Sequence, residues 1–101
     1  MISVALVTET GEKIDSIVDS TNLLGSLPSP LDGNPYRLLN YIDIYSDTIF
    51  NRMQIPDLIV DLDRLREATP SDEHRTFISR LEDMAERSLL SPHQFLKFIG
   101  E

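Results

Sequence analysis

Between Pro56 and Leu89 the chain repeats apolar side chains at helical spacing along one side only, with a single interruption at Thr69-Pro70. Leu58, Ile59, Leu62 and Leu65 recur at i, i+1, i+4 and i+7, which places them on one stripe of a helix. Pro56 suits the first turn, where its missing N–H is harmless, and Asp57 complements the positive end of the helix dipole. Pro70 disfavours helical geometry at Thr69, so this helix is expected to stop near Ala68. A second stripe, Phe77, Ile78, Leu81, Met84 and Ala85, continues through Ser88 and Leu89. Its N-cap is Thr69 or Ser71, and Thr69 with Asp72 resembles a capping box. Glu82, Asp83, Glu86 and Arg87 are expected on its solvent side, with Asp83 and Arg87 paired at i,i+4. Ser91-Pro92 ends it. Two helices with one apolar side each must cover a common layer.

The flanking segments supply that layer. Ile2 to Thr8 is a run of β-branched and apolar residues, expected as a strand. Thr8-Glu9-Thr10-Gly11-Glu12 reads as a turn, and Lys13 to Asp19 alternates Ile14, Ser16 and Val18 against Asp15, Ile17 and Asp19, a second antiparallel strand. Ser20-Thr21-Asn22 offers an N-cap for a short helix at Leu23-Leu24. Residues 25–37 hold three prolines and two glycines, an irregular loop within one domain. Leu38 to Tyr45 is expected as a third strand, Ser46-Asp47 as a turn and Thr48 to Asn51 as a fourth strand, together a second hairpin. Gln94 to Gly100 is apolar on both sides. As a strand it would be covered on both faces; as a helical turn it would be apolar nearly all round. The strand is the preferred reading. The expected fold is α+β over residues 1–101 as a single domain. It consists of a mostly antiparallel sheet of four to five strands with two amphipathic helices packed on one face.

Charge narrows the partners. Nine Lys and Arg stand against 17 Asp and Glu, a net charge of −8. Nucleic-acid binding draws most of its affinity from cations on phosphates, so neither a nucleic acid nor an anionic membrane surface is expected. A basic protein would be attracted. There is no cysteine, which excludes disulfides and thiol chemistry. No stretch approaches the roughly 20 apolar residues of a membrane span, and Met1 opens no signal-peptide pattern. A cytoplasmic location is expected.

No motif specifies a reaction. His74 and His93 lack any ligand spacing, and no Gly-rich phosphate loop or Gly-x-Ser-x-Gly elbow occurs. No cofactor, metal or catalytic residue is assigned. Asp57, Asp61 and Asp63 cluster on the first helix, with Asp57 and Asp61 on one face. Such carboxylates are either a solvated face or, in a small metal-dependent enzyme, a Mg²⁺ or acid–base site. The most distinctive stretch is YIDIYSDTIFNRMQ, residues 41–54. As a hairpin it would align Tyr41, Asp43 and Tyr45 on one face with Asp47 at the tip, a mixture suited to recognising a basic protein. The loop at 28–36, with Asp32 and Tyr36, is a second candidate surface.

That segment, followed by two amphipathic helices and the closing LKFIGE, resembles small bacterial proteins of about this length. The small size, acidity and α+β order resemble immunity proteins of bacterial toxin systems. The resemblance implies a non-catalytic protein that neutralises a cognate toxin, often a nuclease, by direct binding. It carries over no residue role. A homodimeric structural or regulatory subunit, joined through an exposed sheet edge, is a further reading.

Overall fold

The computed structural model describes residues 2–27 and 35–100. Strand β1 (Ser3–Thr8) turns through Gly11, at φ 87°, into strand β2 (Lys13–Val18). Only a residue without Cβ takes that φ without strain. Among the described residues that follow, 3-10 turns lie at Leu24–Ser26 and Leu39–Tyr41, and then comes strand β3 (Asp47–Phe50). Helices α1 (Ile55–Ala68) and α2 (Asp72–Ser88) lead to strand β4 (Gln94–Ile99). The four strands form one antiparallel sheet in the order β2-β1-β4-β3.

Alternation sets the two faces of this sheet. Val4, Leu6, Ile17, Phe50, Leu96 and Phe98 point to one side and join Ile55, Leu58, Leu62, Leu65, Ile78, Leu81 and Met84 of the helices in one core. Both helices therefore cover the same face, as their stripes require. Leu62 and Phe98 have no exposed surface. Burying a side chain like Leu62 is worth about 2 kcal/mol. Phe50 meets Phe98 edge-to-face, with centroids 5.6 Å apart and planes at 82°, the arrangement the ring quadrupoles favour.

Helix α1 begins with Pro56 in its first turn and ends at Ala68. Its entry is tied by reciprocal bonds: the Gln54 Oε1 accepts the Asn51 N–H, and the Asn51 Oδ1 accepts the N–H groups of Met53 and Gln54. Of the two candidate caps for α2, Ser71 accepts the His74 N–H, whereas the Thr69 hydroxyl donates back to Leu65 O. Glu82 departs from its expected solvent position. It is 9 % exposed and accepts a bond from Arg66 of α1 at 2.7 Å. An ion pair between neighbouring helices has drawn it inward.

The tail is a strand, and it lies in the middle of the sheet, between β1 and β3. The expected second hairpin does not form. Residues 38–45 hold a 3-10 turn and an irregular loop, Asp47 opens β3 instead of occupying a turn, and β3 pairs with β4. The cap expected from Ser20-Thr21-Asn22 is also replaced. Asp19, with no exposed surface, accepts the N–H of Leu23 at 2.9 Å and of Leu24 at 2.7 Å.

Candidate functional site

Asp61 reaches out of α1 to the segment that precedes the candidate surface. It is 1 % exposed, and its two oxygens accept the N–H groups of Arg37, Leu38 and Leu39. An ionised carboxylate accepting several backbone donors is among the stronger neutral-pH arrangements a fold contains. It turns the chain into the Leu39–Tyr41 helical turn. That capture is the physical reason why residues 38–45 leave the extended conformation their alternation suggested.

Beyond Tyr41, Ile42 packs against the core and the chain loops out until Asp47. Asp43 organises this loop locally. Its Oδ1 accepts the Tyr45 N–H at 2.8 Å and its Oδ2 accepts the Ser46 hydroxyl at 2.9 Å, an Asx-type turn. The Tyr45 N–H, and after it the Ser46 hydroxyl, hold the Asp43 carboxyl below its ordinary range. The Thr48 hydroxyl accepts the Asp43 N–H at 3.2 Å. At the other side of the loop, Gly100 donates its N–H to Ser46 O at 3.0 Å. A Cβ on Gly100 would lie 2.5 Å from the backbone N and O of Ser46 and 2.7 Å from Asp43 O. Glycine is required there so that the loop can rest on the end of β4.

The result is a braced loop with two aromatic side chains facing outward. Tyr41 is 71 % exposed and Tyr45 77 %. Asp43 and Asp47 are exposed beside them, but both are engaged: Asp43 with its own turn, Asp47 with Lys97 at 3.4 Å. The four residues thus share one short segment, 41–47, as the strand reading had them, but around a loop and not on a strand face.

The aspartates of α1 separate. Asp61 is an internal cap, Asp63 is exposed and pairs with Arg66 at 2.6 Å, and Asp57 is exposed in the first turn. Asp57 and Asp61 stand one turn apart on α1 as their spacing requires, but the face is not a solvated one throughout, because Asp61 is buried under the preceding segment while Asp57 is exposed. Among the described residues no group of three His, Cys, Asp or Glu side chains converges to hold a metal ion. His93 faces Glu9 at 3.0 Å on the surface. In the second candidate surface, Asp32 lies outside the described residues. Tyr36 is 9 % exposed within the core, and burial, then the Asp61 charge, push its hydroxyl above the ordinary range. Among the described residues no helix is long and apolar enough to cross a membrane.

Two features of the site escaped sequence reasoning. The Asp61 cap joins residues more than twenty positions apart, and no local pattern marks such a bond. Gly100 carried a signal, a glycine directly after an apolar strand, but its neighbour Ser46 comes from the far side of both helices in the chain. Comparison with protein-family models, with curated proteins and with solved structures returned no match for this chain.

Proposed function

We propose that this protein is a non-catalytic protein-binding module whose contact surface is the Tyr41–Asp47 loop. The observation that carries the reading is the exposure of Tyr41 and Tyr45 on a loop whose backbone is braced by Asp61, Asp43 and Gly100. Aromatic side chains with few torsions, presented on a fixed backbone, lose little entropy when they dock and account for many binding hot spots. The role of the aspartates changes accordingly. Since Asp43 and Asp47 already have partners, the tyrosines are the anchors, and the carboxylates add rim charge that speeds encounter more than it holds the complex.

In its most concrete form the module is an immunity-type inhibitor. Its partner is a basic toxin domain, attracted by the −8 charge of the chain. A tagged pull-down from the native host tests this, run with the wild type and with Tyr41→Ala/Tyr45→Ala, each at low and high salt. One dominant basic protein, captured by the wild type, released at high salt and missed by the double variant, supports the reading. The same protein captured equally by both removes this loop from the interface.

A further inference from the structure

We infer that the cleft between β2 and α2 binds a small phosphate monoester with a hydroxylated body, of the sugar-phosphate kind. The site shares no residue with the Tyr41–Asp47 loop, and the inference does not rest on that reading. β2 is an edge strand, and between it and the flank of α2 lies a cleft of about 680 Å³. Small-molecule sites usually measure about 300–1,000 Å³. Three of the nine cations of this acidic chain, Arg75, Arg80 and Arg87, line the cleft. Ile17 and Met84, both buried, supply its apolar lining. A smaller cleft of about 280 Å³ adjoins it, sharing Thr76 and Arg80, and reaches the chain just after β2 at Ser20 and Thr21.

The three arginines differ in what they already hold. Arg87 is engaged within the chain, with Asp15 of β2 at 2.8 Å and with Asp83 at 3.8 Å. Among the described residues Arg75 and Arg80 have no hydrogen bond or ion pair, and Arg80 acts on Asp15 only through space. The Thr76 hydroxyl donates to Asp72 O at 2.9 Å, which leaves the exposed Ser79 hydroxyl as the donor between the two guanidinium groups. Two forks and a hydroxyl offer donors from several directions. That suits the three terminal oxygens of a phosphoryl group, whereas one fork suffices for a carboxylate. A second observation also points to a polar ligand. The Thr21 hydroxyl oxygen is buried and has no hydrogen-bond partner among the described residues, yet Thr21 lines the smaller cleft with Arg80. Buried polar atoms are as a rule bonded, so an orphan beside a cleft marks where a ligand group completes the set. The carboxylates narrow the class further. Asp72 and Asp83 line the larger cleft and Glu73 the smaller. They oppose a polyphosphate or a nucleic acid, as does the net charge of −8. A single phosphoryl group on Arg75 and Arg80 limits that repulsion, and hydroxyl groups on the body of the ligand give the same carboxylates donors to accept.

Amide NMR of the purified chain, titrated with ribose 5-phosphate to about 10 mM, tests the site across the range of weak affinities. Shifts should saturate and fall on Ser16 to Thr21 and Thr76 to Arg80, while Tyr41 to Asp47 stay unmoved. Arg80→Gln should weaken binding about tenfold or more through loss of a charge-assisted fork, and Arg75→Gln should weaken it to a lesser degree. Both positions are exposed, so neither variant should disturb the fold. Arg52→Gln makes the same charge change at an exposed position outside both clefts and should bind like the wild type. Ribose without the phosphate should not bind, and inorganic phosphate should bind more weakly than the ester. The absence of a saturable shift with ribose 5-phosphate overturns the proposal. So does binding that Arg80→Gln leaves intact, or that Arg52→Gln weakens equally. Inorganic phosphate bound as tightly as the ester, or ribose bound as tightly as its phosphate, overturns it too, since either would remove one half of the ligand from the recognition.

Discussion

The carboxylate of Asp61 accepts the backbone N–H of Leu38 at 2.6 Å. This bond, with those to Arg37 and Leu39, joins α1 to the start of the exposed loop. It makes the stability of the protein and the position of Tyr41 depend on one side chain.

Asp61→Ala leaves three N–H groups without their acceptor in a buried setting. Hydrogen bonds to a charged group are worth roughly 1.5–3 kcal/mol each, and orphaned donors add their own cost. A loss of about 3 kcal/mol or more in urea unfolding is expected. Asp61→Asn keeps one acceptor oxygen and should lose less. Equal losses in the two variants would show that packing, not hydrogen bonding, sets the cost.

Gly100→Ala forces a methyl group against the Ser46 backbone. Either the loop lifts or β4 shifts, and overpacking of this kind costs about 1–3 kcal/mol. Amide exchange should quicken at Tyr45 and Ser46 while the core strand amides of Val4 and Phe98 stay protected. Unchanged exchange in the loop would mean that Gly100 does not brace it.

Tyr45→Ala separates binding from folding. The side chain is 77 % exposed, so stability should change by no more than about 0.5 kcal/mol. Binding to the captured partner should fall about 30-fold, the size of a hot-spot loss near 2 kcal/mol. Asp43→Lys should slow association and weaken binding, with the effect shrinking at high salt. Titration calorimetry and stopped-flow association measure the two.

Glu82 gives a pH dependence with a definite sign. Burial, the largest influence, pushes its carboxyl above the ordinary range, and Arg66 offsets this in part. The native state therefore holds the proton more tightly than the unfolded chain. The contribution of this group is fully present below the ordinary Glu range and is lost as pH rises through the raised native value. Glu82→Gln, which has no charge to bury, should compare better with the wild type at about pH 7 than at about pH 3.5, below the ordinary Glu range. Chemical denaturation at both pH values reads the difference. A variant that compares worse at pH 7 would show that the charged bond to Arg66 dominates instead.

The elements with strong, local patterns were legible. Gly11 marked the first turn, Pro56 and Pro70 bounded α1, and the one-sided stripes named the core residues of both helices. The failures lie where a distant group outbids local preference. LLNYIDIY alternates like a strand, yet Asp61 draws its first residues into a helical turn. Asp61 and Glu82 are charged residues that a helical pattern assigns to solvent, yet each is buried and bonded to a partner on another element. Tyr41, Asp43, Tyr45 and Asp47 were expected on a hairpin, whereas Tyr41 ends a 3-10 turn, Asp43 and Tyr45 lie on a loop and Asp47 opens β3.

Periodicity and composition alone determined the class of this protein: α+β, acidic, two helices over one face of an antiparallel sheet. Those features follow from each residue's own chemistry and that of its near neighbours. The tertiary structure alone decided two things: the place of β4 between β1 and β3, and the conversion of residues 38–45 into a braced loop. Each depends on contacts between segments far apart in the chain. Their energy appears only when the whole core has closed, and no local pattern can announce it.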